Sequence, residues 1–351
     1  MKIHKILTLT VLVVLLAACG NKSEAEKDIF SITIKDHKKA YTASDKISVT
    51  VNNVKNKPID SVVYSLDSER IIASEKNSAT TITLENQKLG TRTINAAVYS
   101  EGEIYTANTN IILLASEKPK LYTYKILETY PHDIEAYTQG LEFSNDTLYE
   151  STGTYKISSL RKTNYTTGEV LQKVDLADSY FGEGLTVLNN KIYQLTWREN
   201  TGFIYNLSDL KKTGSFVYGK SKEGWGLCND GTAIYKSDGT DKIWTLNANT
   251  LAEEGFIELY TNTSKIPRVN ELEWVEGKIY ANIYQKDAIA IVNPSNGAVE
   301  GVIDLSDLKT KVTQHKALDV LNGIAYNGEE NILYMTGKNW DKLFKVEVIE
   351  K

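Results

Sequence analysis

Five times between residues 139 and 324 one short phrase recurs: Gln139-Gly140-Leu141, Glu183-Gly184-Leu185, Trp225-Gly226-Leu227, Asn270-Glu271-Leu272 and Asn322-Gly323-Ile324. Positions 140, 184, 226, 271 and 323 stand 44, 42, 45 and 52 residues apart. Seven to ten residues after each phrase comes an aliphatic-tyrosine pair: Leu148-Tyr149, Ile192-Tyr193, Ile234-Tyr235, Ile279-Tyr280 and Leu333-Tyr334. Such a period marks a unit that cannot bury its apolar face alone and must stack on its neighbours. With several short strands per unit, the expectation is an all-β, five-bladed β-propeller over residues 121–351.

The fourth repeat shows the strands most clearly, as Leu272–Val275, Lys278–Ile283, Ala288–Val292 and Ala298–Leu305, with Gly277 and Asn293–Gly297 supplying turns. Repeats one to four each end in an outer strand, whereas the fifth runs out at Lys351 after three. Tyr122–Glu128 resembles those outer strands and is expected to complete the last unit, which removes open sheet edges.

Ahead of the repeats, Phe30–Ile34, Lys46–Val51, Ser61–Ser65 and similar runs alternate apolar and polar residues with β-branched enrichment. Residues 29–116 therefore read as a small immunoglobulin-like β-sandwich. No histidine pair, acidic cluster or glycine-rich loop marks a site there, so it reads as a spacer or docking domain. Ser116–Lys120 is the linker.

The first eighteen residues read as a signal peptide. Lys2 and Lys5 precede an apolar run from Ile6 to Ala18, too short to span a bilayer. The run ends Leu16-Ala17-Ala18-Cys19, similar to the bacterial lipoprotein box, which makes Cys19 the expected lipidation site. Residues 19–28 then form a polar tether. The expected location is the bacterial cell envelope, with the lipid on Cys19 as the membrane contact. Without Lys2 and Lys5 the formal charge goes from −5 to −7, and no basic block survives to hold nucleic acid. A lipidated Cys19 leaves Cys228 without a disulfide partner, so Cys228 reads as a small core residue.

In a propeller the first strand of each blade lines the axis, so equivalent residues converge. The first such ring is Gln139, Glu183, Trp225, Asn270 and Asn322. A second comes from the ends of the second strands: Gly153, Trp197, Gly239, Tyr284 and Lys338. Taken singly, Asn270 and Asn322 read as turn residues, Trp197 and Trp225 as packing, and Lys338 as an exposed turn. Their joint occurrence at equivalent positions is what gathers them. One carboxylate, one lysine, amides and aromatic rings then share a mouth suited to a small organic group with a charged end. Metal chemistry has little support, because beyond residue 18 the histidines are His37, His132 and His315, far apart. No nucleophile elbow or phosphate-binding loop is present.

At these residues the chain resembles the glutaminyl cyclases of the plant and bacterial type, a metal-free five-bladed propeller family. The phrases are Tyr137-Thr-Gln-Gly-Leu141, Tyr180-Phe-Gly-Glu-Gly-Leu185, Leu195-Thr-Trp197, Gly224-Trp-Gly-Leu227, Asn270-Glu-Leu-Glu-Trp274, Ala281-Asn-Ile-Tyr-Gln285, Leu321-Asn-Gly-Ile-Ala325 and Thr336-Gly-Lys338. The resemblance covers about residues 121–350. It implies cyclisation of an N-terminal glutamine to pyroglutamate with release of ammonia, on peptides or proteins, without cofactor or metal. The family's acid/base glutamate falls on Glu183. Its polar pocket residues fall on Gln139, Asn270 and Lys338, and its aromatic ones on Phe181, Trp197 and Trp225. Tyr137 stands where the pattern has Phe, and Tyr284 where it has Trp. Asn322 completes the expected substrate-binding set with Tyr137, Phe181, Trp197, Trp225 and Tyr284.

The oxyanion donor is left open among Asn270, Gln139, an indole N–H and Lys338. The competing expectation is a non-catalytic propeller holding a peptide terminus or a glycan at the bacterial surface. A lactonase-type hydrolase would need metal ligands that the sequence does not offer. The chain is expected to act as a monomer.

Overall fold

Alternation of apolar and polar residues becomes strand almost throughout. Along Ser61–Leu66 half-buried and buried side chains alternate, the signature of a strand with one face on a core. The computed structural model describes residues 29–351, so the apolar leader, Cys19 and the tether lie outside the described residues. Seven strands come first: β1 (Phe30–Ile34), β2 (Lys46–Asn53), β3 (Ser61–Leu66), β4 (Glu69–Glu75), β5 (Thr80–Thr83), β6 (Gly90–Ser100) and β7 (Glu103–Leu113). The long β8 (Lys120–Pro131) precedes the repeats. The first repeat holds β9 (Thr138–Ser144), β10 (Thr147–Thr152), β11 (Ser159–Thr163) and β12 (Val170–Asp175). The second holds β13 (Gly182–Leu188), β14 (Lys191–Thr196), β15 (Thr201–Asn206) and β16 (Lys212–Val217). The third holds β17 (Leu227–Asn229), β18 (Ala233–Ser237), β19 (Lys242–Asn247) and β20 (Glu253–Glu258). The fourth holds β21 (Val269–Val275), β22 (Lys278–Ile283), β23 (Ala288–Val292) and β24 (Val299–Asp304). The fifth holds β25 (Leu321–Ala325), β26 (Ile332–Gly337) and β27 (Lys342–Glu350).

The fold is all-β, but the expectation of a five-bladed propeller behind an immunoglobulin-like sandwich is corrected by the hydrogen bonding. Repeats one to three each form a separate four-stranded antiparallel sheet. The fourth and fifth do not separate: they make one eight-stranded sheet in the order β21-β22-β23-β24-β8-β27-β26-β25. The cause is β8. Its start pairs in parallel with β24 (Lys120 with Gly301, Tyr122 with Ile303), while Tyr122–Pro131 pairs antiparallel with β27. The strand expected to complete the fifth repeat therefore does lie against β27, and in doing so fuses two repeats. The leading strands form two small sheets, in the orders β1-β2-β5 and β4-β3-β6-β7.

By compactness the chain divides into two units. The first comprises the described residues up to Lys35, Ser48–Thr80 and Ile94–Thr109. The second comprises Asp36–Ile47, Thr81–Thr93 and Asn110–Lys351, and holds all five repeats. Within it the apolar mass lies between neighbouring repeats. Leu160 of the first packs with Ile192 of the second, Leu195 with Ile234, Cys228 with Ile279, and Ile289 with Ile324. Leu141 and Leu148 pack with Tyr334 of the fifth, so the series closes on itself.

The five first strands adjoin in the same cyclic order, β9 touching both β13 and β25. The repeated glycine permits that closeness. A Cβ on Gly184 would stand 2.7 Å from the Gly226 Cα, and one on Gly226 only 2.3 Å from the Asn270 carbonyl oxygen.

Candidate active site

The pivotal residue of the repeat sits in a β-bulge in four of the five repeats. In the second, Gly182 pairs with Thr196 and Leu185 with Gln194, so Glu183 and Gly184 together face one residue. Asn270 and Asn322 stand in the same two-against-one arrangement, and Gln139 is skipped between Thr138 and Gly140. A bulge re-aims a side chain out of the pleat, here toward the common axis. Trp197, Tyr284 and Lys338 each follow directly on the last residue of a second strand, β14, β22 or β26. First-strand starts and second-strand ends thus meet at one edge.

They enclose a cavity of about 250 Å³ lined by Tyr137, Gln139, Phe181, Glu183, Trp197, Trp225, Asn270, Tyr284 and Lys338. Nine of the ten residues expected at the site are therefore brought together. Asn322 is not among the lining residues; it is fully buried beneath them and fixes two of them. Its amide nitrogen donates to the Thr138 carbonyl at 3.0 Å and to Gln139 Oε1 at 3.3 Å. Its Oδ1 must then accept, and it does so from Asn270 Nδ2 at 2.8 Å. That leaves Asn270 Oδ1 enclosed and without a hydrogen-bond partner among the described residues. Gln139, oriented by Asn322, turns its Nε2 to Glu183 Oε1 at 3.4 Å.

Glu183 and Lys338 are both buried. Burial pushes the Glu183 carboxyl well above its ordinary range, with Lys338 opposing and Glu223 and Glu199 adding to the rise. Burial also lowers the Lys338 ammonium, against the pull of Glu183 and Asp319. The Lys338 Nζ lies 4.8 Å from the centre of the Tyr137 ring and 5.5 Å from that of Tyr284, within cation–π range. It has no hydrogen-bond acceptor of its own among the described residues. Tyr137 is held from the far side by Asp319, which accepts its hydroxyl hydrogen at 2.8 Å.

The aromatic walls are held as firmly. Phe181 stands 5.6 Å from Trp197, and Trp225 meets Tyr284 edge-on at 5.5 Å. Both indole N–H groups donate to one oxygen, Glu223 Oε2, at 2.8 Å from Trp197 and 2.9 Å from Trp225. Arg198 donates to the other oxygen at 3.2 Å and lies over the Trp197 ring at 3.6 Å. Sequence reasoning missed Glu223 and Asp319. A signal for Glu223 existed: it stands two residues before Trp225, as Tyr137 stands before Gln139 and Phe181 before Glu183.

Arranged this way, the cavity offers one carboxylate with elevated proton affinity, one unpaired ammonium, one free amide oxygen and a ring-lined wall. These groups can accept a proton, stabilise a developing oxyanion, orient an N–H group and fold a short side chain. The indole N–H groups, committed to Glu223, leave the field of oxyanion donors.

Residues 97–348 match the family model described as glutamine cyclotransferase. The chain is 40% identical over 229 residues to a glutaminyl-peptide cyclotransferase of Arabidopsis thaliana, covering 64% of this chain and 71% of that protein. The crystal structure of Myxococcus xanthus glutaminyl cyclase aligns with a TM-score of 0.61 at 32% identity, over 67% of this chain and all of that one.

Proposed function

Since the chain belongs to the glutamine cyclotransferase family, it is an enzyme that converts the N-terminal glutamine of peptides to pyroglutamate with release of ammonia, and we propose how its residues share that work. The nucleophile is the substrate's own α-amine and the electrophile its side-chain carboxamide carbon. Both are already on one residue, so the main task is to hold a near-attack ring geometry. Phe181, Trp197, Trp225 and Tyr284 serve as the walls of that fold. Asn270 Oδ1, enclosed and otherwise unpartnered, accepts from the α-amine and aims its lone pair.

Attack forms the new C–N bond and places negative charge on the former carboxamide oxygen. Lys338, lacking an acceptor, donates to that oxygen. Glu183 takes the proton that the attacking nitrogen must lose. It then delivers that proton to the departing NH₂ as the C–N bond to it breaks and the carbonyl re-forms. A carboxyl raised by burial suits this double role, because an acid/base group works best near the operating pH. The single observation carrying the reading is Glu183, buried in the cavity with its proton affinity raised and Lys338 opposing that rise.

Ammonia release from glutaminyl peptides by Glu183→Gln tests it. The variant is expected to fold as the parent does, by circular dichroism and melting, and to lose about 10²–10⁴ in kcat. Near-parental turnover would remove Glu183 from the role.

We further propose that Cys19 carries a lipid holding the enzyme on the cell envelope, with residues 19–28 as tether, residues 29–116 as spacer, and the chain monomeric. The Leu16-Ala17-Ala18-Cys19 sequence supports the anchor. Incorporation of labelled palmitate that is lost in Cys19→Ala would bear this out, and labelling that persists would refute it.

A further inference from the structure

We propose that the groove beside Trp225 binds the residues following the glutamine and selects substrates with acidic side chains there, an inference that rests on the cyclotransferase reading above. Trp225 has two sides. One lines the cavity, and the other lines a second concavity of about 640 Å³. A peptide whose first residue fills the cavity must leave it along a wall, and this groove adjoins the cavity across the shared Trp225 indole.

The groove carries Lys220, Lys222 and Lys242 on a floor that includes Trp244 and Phe256. None of the three lysines has an ion-pair partner among the described residues. Lys242 instead hangs over the Phe256 ring at 4.5 Å and the Trp244 ring at 5.8 Å. The two carboxylates in the lining are already committed. Asp238 accepts from Thr240 Oγ1 at 2.6 Å and from Trp244 Nε1 at 2.7 Å, while Glu223 holds both site indoles and Arg198. The cations are therefore the groups left over for a ligand.

The loop presenting Lys220 and Lys222 is rigidly held. Glu253 accepts from the backbone N–H groups of Lys220 at 2.6 Å and Ser221 at 3.1 Å. From below, the buried ammonium of Lys236 donates to Ser221 Oγ at 2.6 Å and to the Glu223 carbonyl at 2.7 Å. Two lysines on a held loop and a third over aromatic rings, beside a site for a peptide N-terminus, fit a chain bearing carboxylates.

The test compares C-terminally amidated Gln-Glu-Glu-Ala, Gln-Ala-Ala-Ala and Gln-Lys-Lys-Ala, with glutaminamide as the substrate that never reaches the groove. Amidation removes the terminal carboxylate as a second source of negative charge. The expected order of kcat/KM is acidic, neutral, basic, with roughly tenfold between the extremes at low salt, from a few surface-type ion pairs. Added salt should compress that ratio. In a Lys220→Glu/Lys222→Glu/Lys242→Glu variant the acidic-to-basic ratio should fall below one. Turnover of glutaminamide with equal rates on all three peptides overturns the groove and leaves the cyclotransferase reading standing. A preference indifferent to salt, or surviving in the triple variant, overturns it too. Absence of turnover on glutaminamide itself overturns both.

Discussion

Lys338 and Glu183 share one buried space, and each opposes the effect that burial has on the other's protonation. Lys338 is the group that lowers Glu183 against the effect of burial. Lys338→Met removes that opposition, and the Glu183 carboxyl then rises further. Because the base must be ionised to accept a proton, the acid limb of the kcat–pH profile should move to higher pH. At its plateau kcat should be about 10²–10³ below the parent if Lys338 is the oxyanion donor proposed above. A limb that stays in place would mean that Lys338 does not act on Glu183. Asn322 is a different case, a positioning residue that holds Gln139 and Asn270 at once. Asn322→Ala should lower kcat about 10²-fold through sub-ångström misplacement of those amides. A role in folding alone would lower the melting temperature and leave kcat per folded molecule unchanged. The sequence aligned Asn322 with the lining residues because a repeat register tells which end of a strand a residue occupies. It does not tell how deep the side chain sits once the strand bulges.

At the scale of the element, the first strands are drawn together by a phrase whose glycine is a packing requirement. Gly184→Ala places its Cβ 2.7 Å from Gly226 Cα and from the Leu227 amide nitrogen. Backbone cannot retreat as a flexible side chain can. Overpacking of this kind should cost about 3 kcal/mol, read as a fall of roughly 6–12 °C in the melting temperature. A variant that melts with the parent would show that β13 and β17 can part without loss. The strands themselves were legible from two-residue alternation, and the bulged residues from their repeat position. The sheets were not, because the parallel pairing of β24 with β8 joins residues near 301 to residues near 120. No local period carries that pairing. For Glu223 the repeat register marked the position, two residues before Trp225, but not its role, because only the folded chain puts the indoles of residues 197 and 225 on one carboxylate oxygen.

At the scale of the whole molecule, the second unit encloses carboxylates that have no ion-pair partner among the described residues. Glu142 accepts from the Val187 N–H at 2.9 Å, Glu271 from Ile324 at 3.1 Å and Glu273 from Tyr326 at 2.8 Å, each reaching from one repeat to the next. Burial raises all three, Glu142 to about 7. A carboxyl whose folded value exceeds its unfolded one favours the fold while protonated. That contribution is complete below the ordinary carboxylate range and is lost as pH rises through the folded value. The melting temperature should therefore decline as the pH rises from about 4.5 to about 7, the interval over which Glu142 is protonated in the folded chain and ionised in the unfolded one. Glu142→Gln keeps an acceptor for Val187 and removes the titrating group, so its decline should be shallower, and a slope equal to the parent's would exclude Glu142 as a contributor. The strand β8 bears on something else, the order of events at the ribosome. Its antiparallel partner β27 is made about 200 residues later, which at about 5–20 residues per second is a wait of about 10–40 s. During that interval the eight-stranded sheet lacks its seam and β8 has a bare hydrogen-bonding edge, the kind that recruits foreign strands. Closure thus waits on β27, and β8 is the strand that an incomplete chain of this protein leaves most open to foreign pairing.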